Sequence, residues 1–281
     1  MHYAVKDHRV KRGTSAVDYT ATPNKGGTIT PEAIVLHDTA GRLDHRSSVG
    51  WLCNPDARAS AHFVVGRAGE VVQLAPTNIS TWHAGASSFN GRSNVNGFSI
   101  GIEIVNPGIM QPAVGNGARA WFGQVFPIGE HGIEHRATPQ HGAGLWMPYT
   151  EAQIETVAAL CLALREAYPS IAALTTHWAI SPGRKVDTNP LFPLEAVRAR
   201  VMGRQDVPAH GDDTDAVTTV GVNLRRWPSL GDNVIQVLAK GTRVRVLRSG
   251  VFTNGEETAR WYLVATGDNE GWVHGTYLDL D

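Results

Sequence analysis

A stretch with almost no large apolar residues separates two kinds of sequence in this chain of 281 residues. Residues 202–216 read MGRQDVPAHGDDTDA, with glycine, proline and four aspartates. This composition is typical of an exposed linker between separately folded domains. We therefore predict a first domain over residues 1–202, a linker over residues 203–216 and a second domain over residues 217–281.

The second domain is predicted to consist of β-strands alone. Its short runs of β-formers are separated by turn signals such as SLGDN, TNGEE and TGDNE. Closely spaced short strands without a helical period are typical of a small barrel. The runs are VNLRRWPS, TRVRVLRS, RWYLVAT and GWVHGTYLDL.

Strand patterns in the first domain occur in three places. AIVLHDTA (33–40) is a short apolar run bounded by turn formers. Residues 61–75 predict a hairpin with GRAG at its tip. FSIGIEIVN (98–106) alternates strictly, which places its isoleucines on one face of a strand.

Helix patterns accompany these strands. TEAQIETVAALCLALREAY (150–168) has an apolar stripe at helical spacing, and Thr150 with Gln153 predicts a capping box at its start. Shorter helices are expected around residues 48–54 and 191–202. Because strands and helices are mixed, we predict an α/β domain with a mixed central sheet flanked by helices.

Residues 107–147 form a long insertion rich in glycine, proline and histidine, with little periodicity. Loops of this length in a compact domain are usually functional or mobile. The insertion carries three histidines, but they have no regular ligand spacing, so we expect no second metal there. These are His131, His135 and His141.

Charge and cysteine content exclude several classes of protein. The net charge is −1 and the pI is near 6.9, so no basic excess indicates a nucleic-acid partner. Two distant cysteines, Cys53 and Cys161, do not suggest a disulfide framework. Cys161 lies on the apolar stripe of a predicted helix, so we interpret it as a buried free thiol.

Two histidines and an aspartate are candidates for a metal site. His37 ends the run IVLH, His177 ends another strand-like run, and Asp187 follows ten positions later. Two imidazoles and one carboxylate can hold zinc and leave a fourth position open for water. Spacing alone leaves a second interpretation open, in which these are hydrogen-bonded structural histidines.

Glu103 is unusual because it lies within the apolar run SIGIEIV. An unpaired glutamate is unlikely to face an apolar core, since burial of a charge is costly. Its strand face, shared with Ser99 and Gly101, has room for a ligand or a water. The alternative is an exposed position on the strand.

The local sequences around these residues resemble the zinc-dependent N-acetylmuramoyl-L-alanine amidases of the type-2 amidase and peptidoglycan-recognition-protein fold. The resemblance covers most of residues 25–200. It rests on IVLHDTA, ASAHFVVGRAGEVVQLAP, TWHAGASSFNGRSNVNGFSIGIEIVN and THWAISPGRKVDTNP.

The resemblance implies an enzyme with one zinc ion. His37, His177 and Asp187 match the three ligands of the family. Lys185 matches a lysine that stabilises the developing oxyanion, and Glu103 matches the glutamate that acts as general base. The bond cut would be the amide between the lactyl group of N-acetylmuramic acid and L-alanine of the stem peptide.

Substrate contacts are implied at three further positions. The segment WHAG matches part of the substrate groove, so Trp82 and His83 are expected contacts. Asn94 occupies a position where cytosolic recycling members carry a substrate-clamping arginine. His62 and His83 match no ligand position, so we expect neither to bind metal.

The C-terminal sequence resembles bacterial SH3-like domains, through VNLRRWPS and EGWVHGTYL. Such modules commonly bind cell-wall peptides, although a structural or dimerisation role stays open. Four aromatic residues of this domain could line a groove, but aromatic residues in small barrels are more often core. They are Trp227, Trp261, Tyr262 and Trp272.

Three functions are compatible with these features. We expect a cell-wall lytic enzyme of the endolysin type whose partner is peptidoglycan; the alternatives are a non-catalytic muropeptide-binding protein and a cytosolic recycling amidase. The N-terminal sequence lacks the apolar core of a secretory signal, and no run approaches 18 apolar residues. We therefore expect synthesis in the cytoplasm, no membrane insertion, and release to the wall through a lysis pore or a secretion system.

Overall fold

The computed structural model describes residues 2–202, 215–230, 233–254, 257–267 and 269–280. The chain divides into two compact units, of which the first comprises Met1–Phe192 with Arg200–Gly203 and the second Pro193–Ala199 with Arg204–Asp281. Most of the predicted linker, residues 203–216, lies outside the described residues. Its last two residues begin a β-strand.

In the described residues before the linker there are twenty-three β-strands and α-helices, and six of the strands form a central mixed sheet. In chain order the elements are β1 (Tyr3–Lys6), β2 (Arg9–Arg12), β3 (Ser15–Ala16), β4 (Asp18–Tyr19), β5 (Lys25–Thr28), β6 (Ala33–Asp38), α1 (His45–Leu52), β7 (Phe63–Val65), β8 (Val71–Gln73), β9 (Ile79–Thr81), β10 (Ser88–Phe89), β11 (Arg92–Ser93), β12 (Ser99–Ile104), β13 (Gln111–Ala113), β14 (Gly117–Arg119), β15 (Val125–Pro127), α2 (Ile128–His131), β16 (Glu134–Thr138), β17 (Gly142–Trp146), α3 (Glu151–Ala167), β18 (Ala173–Thr176), α4 (His177–Ile180) and α5 (Leu194–Met202).

The central sheet has the strand order β18-β6-β12-β7-β8-β4. Strands β18, β6, β12 and β7 run parallel to one another, whereas β7 and β8 form the predicted antiparallel hairpin. Every residue of β6 is buried, as is typical of a central parallel strand covered on both faces. The expected mixed sheet flanked by helices is therefore present in the first unit.

Helix α3 is anchored to the sheet through its first turn. Thr150 accepts a hydrogen bond from the backbone of Gln153, and the Gln153 side chain accepts one from the backbone of Thr150, which completes the predicted capping box. The Gln153 amide also donates to the carbonyl of Val105, just beyond β12. Cys161 is buried on the inner face as a free thiol, and burial raises its pKa.

The insertion is built from short strands and has its own apolar core. Strands β13–β15 form a three-stranded sheet and β16–β17 form a hairpin. A backbone bridge between Met110 and Leu145 joins the two parts. Strands of three residues are too short to show an alternation of apolar and polar residues, so the sequence of the insertion has little periodicity. The core consists of Met110, Ala118, Ala120, Phe126, Ile133, Leu145 and Met147.

The second unit contains a seven-stranded sheet with antiparallel pairing. Trp227, Trp261 and Trp272 are buried, so they pack inside this unit and do not line a groove. The strands are β19 (Asp215–Thr218), β20 (Val222–Arg225), β21 (Val234–Leu238), β22 (Arg243–Asn254), β23 (Glu257–Thr266), β24 (Asn269–His274) and β25 (Leu278–Leu280).

Among the described helices of the chain, none has the length and apolar character needed to cross a membrane.

Candidate metal centre and active-site cleft

The carboxyl ends of β18, β6 and β12 meet at one edge of the central sheet. Glu103 is paired with His37 in the register of β12 and β6. Thr176 is paired with Leu36, so His177, which begins α4, follows β18 directly beside His37. Ligand sites in open α/β sheets form at such strand ends, and here the sequence places three reactive side chains there.

The loop that follows α4 brings Asp187 back to this edge of the sheet, and hydrogen bonds hold the loop in place. The backbone N–H of Trp178 donates to the carbonyl of Asp187 at 2.8 Å, which closes the loop. The Arg184 guanidinium donates to the carbonyl of Ala84 at 2.7 Å and to that of Ala86 at 3.1 Å. These bonds hold the segment between His177 and Asp187 in place.

Three ligand atoms from distant parts of the chain converge. His37 Nδ1 lies 2.9 Å from His177 Nδ1, His177 Nδ1 lies 2.9 Å from Asp187 Oδ2, and His37 Nδ1 lies 3.3 Å from Asp187 Oδ2. In the described part of the chain these three residues form the only group of three or more with metal-binding spacing.

The outer nitrogen of His37 is fixed by a chain of hydrogen bonds. The carbonyl of Val95 can only accept, so the Ser99 hydroxyl donates to it at 2.6 Å. Ser99 Oγ then accepts from His83 Nε2 at 3.1 Å, and His83 Nδ1 accepts from His37 Nε2 at 2.9 Å. A side chain on Gly101 would collide with the His83 ring. The bare lone pair of His37 is thereby left on Nδ1.

The outer nitrogen of His177 is fixed in the same sense. His177 Nε2 lies 3.1 Å from the carbonyl of Ala84, to which it can only donate. Arg184 Nη2 also lies 3.3 Å from His177 Nε2, but its two N–H groups donate to the carbonyl of Ala84 and the hydroxyl of Ser181, both at 2.7 Å. The lone pair of His177 is therefore also on Nδ1. Burial, with His177 alongside, lowers the pKa of His37 to about 4, so this ring is neutral at pH 7.

The arrangement fits a metal ion. Two imidazole lone pairs and a carboxylate oxygen face one another at 2.9–3.3 Å, which is repulsive without a cation between them. Zinc bonds of about 2.0–2.1 Å in a tetrahedral site place ligand atoms about 3.3 Å apart. The donor set of two nitrogens and one oxygen suits zinc and leaves a position open.

A cleft of about 480 Å³ opens over this centre. Its lining includes Glu103 and Lys185 together with His177 and Asp187. Glu103 Oε2 is sealed from solvent and has no hydrogen-bond partner among the described residues. Burial, with the charges of Asp187 and Asp38, raises the pKa of Glu103 well above its usual value, and Lys185 opposes that rise. The carboxyl group is thus poised to exchange a proton.

Asp38 is a site residue that the sequence reasoning missed. It is buried at the end of β6, where the Tyr149 hydroxyl and the backbone N–H of Asn189 donate to its two oxygens. Burial raises the pKa of Asp38 to about 8. These contacts hold the chain just after Asp187, so Asp38 positions the ligand loop. A carboxylate inside the run IVLHDTA was the available signal.

The three predicted substrate contacts lie in different settings. Trp82 lines the cleft and is 40% exposed. His83 also lines the cleft, but its ring nitrogens face His37 and Ser99. Asn94 is exposed in a left-handed turn and is not part of the cleft lining.

Comparison with known proteins identifies two segments. Residues 27–190 match the N-acetylmuramoyl-L-alanine amidase family, and residues 220–279 match the bacterial SH3 domain. Escherichia coli 1,6-anhydro-N-acetylmuramyl-L-alanine amidase AmpD is 32% identical over 62% of this chain and 68% of its own length. Escherichia coli N-acetylmuramoyl-L-alanine amidase AmiD is 27% identical over 61% of this chain and 54% of its own length. Bacillus subtilis N-acetylmuramoyl-L-alanine amidase XlyA is 38% identical, over 30% of this chain and 28% of its own length.

Solved structures give a further comparison. A crystal structure of AmpD is 27% identical, covers 66% of this chain and 94% of that chain, and has a TM-score of 0.46. The family match spans more than half of the chain and includes all three converging ligand residues, Glu103 and Lys185. The chain therefore belongs to the N-acetylmuramoyl-L-alanine amidase family.

Proposed function

We propose that this amidase is a zinc enzyme that degrades the cell wall. The chain hydrolyses the amide bond between the lactyl group of N-acetylmuramic acid and L-alanine in peptidoglycan stem peptides. The observation that carries the zinc proposal is the convergence of two histidine lone pairs and a carboxylate at the sheet edge.

His37 Nδ1, His177 Nδ1 and Asp187 would hold the zinc ion. When bound, zinc supplies a Lewis acid that polarises a carbonyl and acidifies water. The chain fixes the ligand geometry from behind, because His83 and the carbonyl of Ala84 set the lone pairs of the two imidazoles.

Glu103 is proposed as the general base and acid. Its Oε2 has no partner among the described residues, and Glu103 lines the cleft together with His177 and Asp187. A carboxylate in this position takes a proton from the attacking water and later returns it to the leaving amine of L-alanine. The raised pKa of Glu103 favours the second step, since the group must hold that proton before releasing it.

Lys185 is proposed to stabilise the oxyanion. Lys185 lines the same cleft and lies two residues before Asp187. A compact positive charge in a partly enclosed site stabilises the negative charge that develops on the carbonyl oxygen. Trp82 and His83 line the cleft and are proposed substrate contacts, and Asn94 stays a weaker proposal because it lies outside the lining.

The second unit is proposed to form a closed SH3-like barrel that binds the cell wall. Support comes from the match of residues 220–279 to the bacterial SH3 domain and from the seven-stranded sheet. Because its tryptophans are buried, wall contacts would come from other side chains. A wall-binding unit favours a lytic role of the endolysin type over the recycling of small muropeptides.

One experiment tests the lytic proposal. The full chain is incubated in zinc-replete buffer with intact sacculi and, separately, with a soluble anhydromuropeptide, and released stem peptide is quantified with and without a chelator. We expect release from sacculi that the chelator abolishes. Release from the soluble substrate alone would support the recycling alternative, and no release from either would support the binding-protein alternative.

A further inference from the structure

Two tryptophans beside the cleft have no assigned role. Trp121 is 77% exposed and Trp51 is 60% exposed, and both line the cleft that contains the candidate metal centre. Large apolar side chains that lie exposed around a pocket are typical of ligand-binding surfaces.

Trp121 belongs to the insertion and is hydrogen-bonded to the loop after β6. Its indole N–H donates to the carbonyl of Ala40 at 2.6 Å. Its neighbour Phe122 meets it edge to face at 5.7 Å and packs against the apolar core of the insertion. The side chain thus stays largely exposed while the ring is fixed, so little conformational entropy is lost when a ligand stacks on it.

Trp51 reaches the same cleft from α1. The buried side of this helix carries Ser48 and Leu52, and Trp51 projects away from that side. Two separate elements, α1 and the insertion, therefore supply aromatic surface to one cavity. The hydroxyl-bearing residues Thr39 and Ser47 belong to the same lining.

The chemistry of this lining suits a sugar ring better than a peptide. Pyranose rings present apolar C–H faces and hydroxyl or amide edges, which match aromatic faces flanked by hydroxyl groups. Stem peptides of peptidoglycan carry free carboxylates, which call for cationic partners. Apart from the candidate metal ligands and the neighbouring Glu103, Lys185 and Asp38, the cleft lining contains one charged residue, Arg42.

We propose that Trp121 and Trp51 form a subsite for N-acetylhexosamine rings of the glycan strand, on either side of the muramic acid whose amide is cut. This inference rests on the proposed amidase function and deepens it. The insertion then makes the enzyme selective for stem peptides still attached to polymeric glycan.

The test compares two substrates that differ only in glycan length. Hydrolysis is measured on peptide-bearing glycan strands and on a single N-acetylmuramoyl peptide, for the wild type, Trp121→Ala, Trp51→Ala and Trp121→Phe. Val114→Ala is the matched control, because Val114 is an exposed apolar residue of the insertion outside the cleft lining.

We expect Trp121→Ala to lower kcat/KM on glycan strands about tenfold through KM, at least fivefold more than on the single-sugar substrate, with partial recovery in Trp121→Phe. Val114→Ala should leave both rates unchanged. Equal losses on the two substrates, or no loss on strands, would overturn the subsite. An inactive wild type on both substrates would instead contradict the amidase function itself.

Binding measurements test whether the two tryptophans contact sugar or peptide. A neutral oligomer of β-1,4-linked N-acetylglucosamine should bind the wild type and bind Trp121→Ala about tenfold more weakly. A free stem peptide should bind both proteins alike. Weaker binding of the stem peptide alone would overturn the assignment, because the tryptophans would then contact peptide.

Discussion

Two groups of buried histidines in the first unit differ in what their ring nitrogens face. His62 Nε2 lies 2.8 Å from the carbonyl of Ile79, and its Nδ1 accepts from the Thr81 hydroxyl at 3.0 Å and from the Gly101 N–H at 3.1 Å. Both nitrogens of His62 are thus satisfied by the fold. The ring cross-links the region around β7, β9 and β12.

In His37 and His177 the Nε2 atom is hydrogen-bonded to the surrounding fold. The Nδ1 atoms of the two rings have no donor partner and face each other and Asp187. Burial lowers the pKa of His37 and that of His62 to about 4 alike, so neither burial nor pKa separates the two groups. The convergence of unsatisfied lone pairs is the property that marks a metal ligand.

The largest expected effect follows removal of the carboxylate ligand. Asp187→Ala should lower the rate of stem-peptide release by at least about 10³-fold, because the zinc ligand set is incomplete. His62→Gln, measured in the same assay, is the matched control for a change of a polar residue. Residual activity within tenfold of the wild type in Asp187→Ala would contradict the ligand role.

Glu103→Gln should lower kcat by about 10²–10⁴-fold while zinc stays bound. The basic form of Glu103 exists above its raised pKa and is lost as pH falls through it, so the acid limb of kcat/KM should lie above that of an ordinary glutamate. Because Lys185 lowers the pKa of Glu103, Lys185→Ala should move this limb to higher pH. An acid limb unchanged by Lys185→Ala would contradict the coupling.

His83→Ala should weaken zinc binding about 10–100-fold, because the outer nitrogen of His37 loses the acceptor that fixes its tautomer. The dissociation constant is measured by competition with a chelator, and circular dichroism checks the fold. His83→Gln keeps an acceptor and should recover part of the affinity. Equal zinc affinity in the wild type and His83→Ala would contradict the proposal that His83 orients His37 for zinc binding.

The smallest effect on chemistry is expected at His62. His62→Ala leaves the Gly101 N–H and the Thr81 hydroxyl without their acceptor, and should lower the free energy of unfolding by about 1–3 kcal/mol. Denaturant titration measures this change. Zinc affinity should stay within twofold of the wild type. A tenfold loss of zinc affinity would contradict the assignment of His62 to a purely structural role.

The sequence was sufficient for features carried by local pattern. The hairpin at β7 and β8, the capping box of α3 and the strand-end position of His37 followed from alternation, capping residues and turn signals. The family resemblance brought His37, His177 and Asp187 together, and the structure places them in contact.

Other features depend on contacts between distant residues, which leave no pattern. His83 meets His37 across 46 positions, and Tyr149 meets Asp38 across 111. Trp121 gives no sign in the sequence that its indole is fixed to Ala40. In the insertion, strands of three to five residues were too short for periodicity to reveal.

The most direct test of the zinc proposal is the metal content of the purified chain. Protein is loaded with zinc, freed of excess metal, and its zinc measured per chain for the wild type, Asp187→Ala and His62→Gln. We expect one zinc per chain in the wild type and in His62→Gln, and little or none in Asp187→Ala. A metal-free wild type, or full zinc retention in Asp187→Ala, would contradict a site formed by His37, His177 and Asp187.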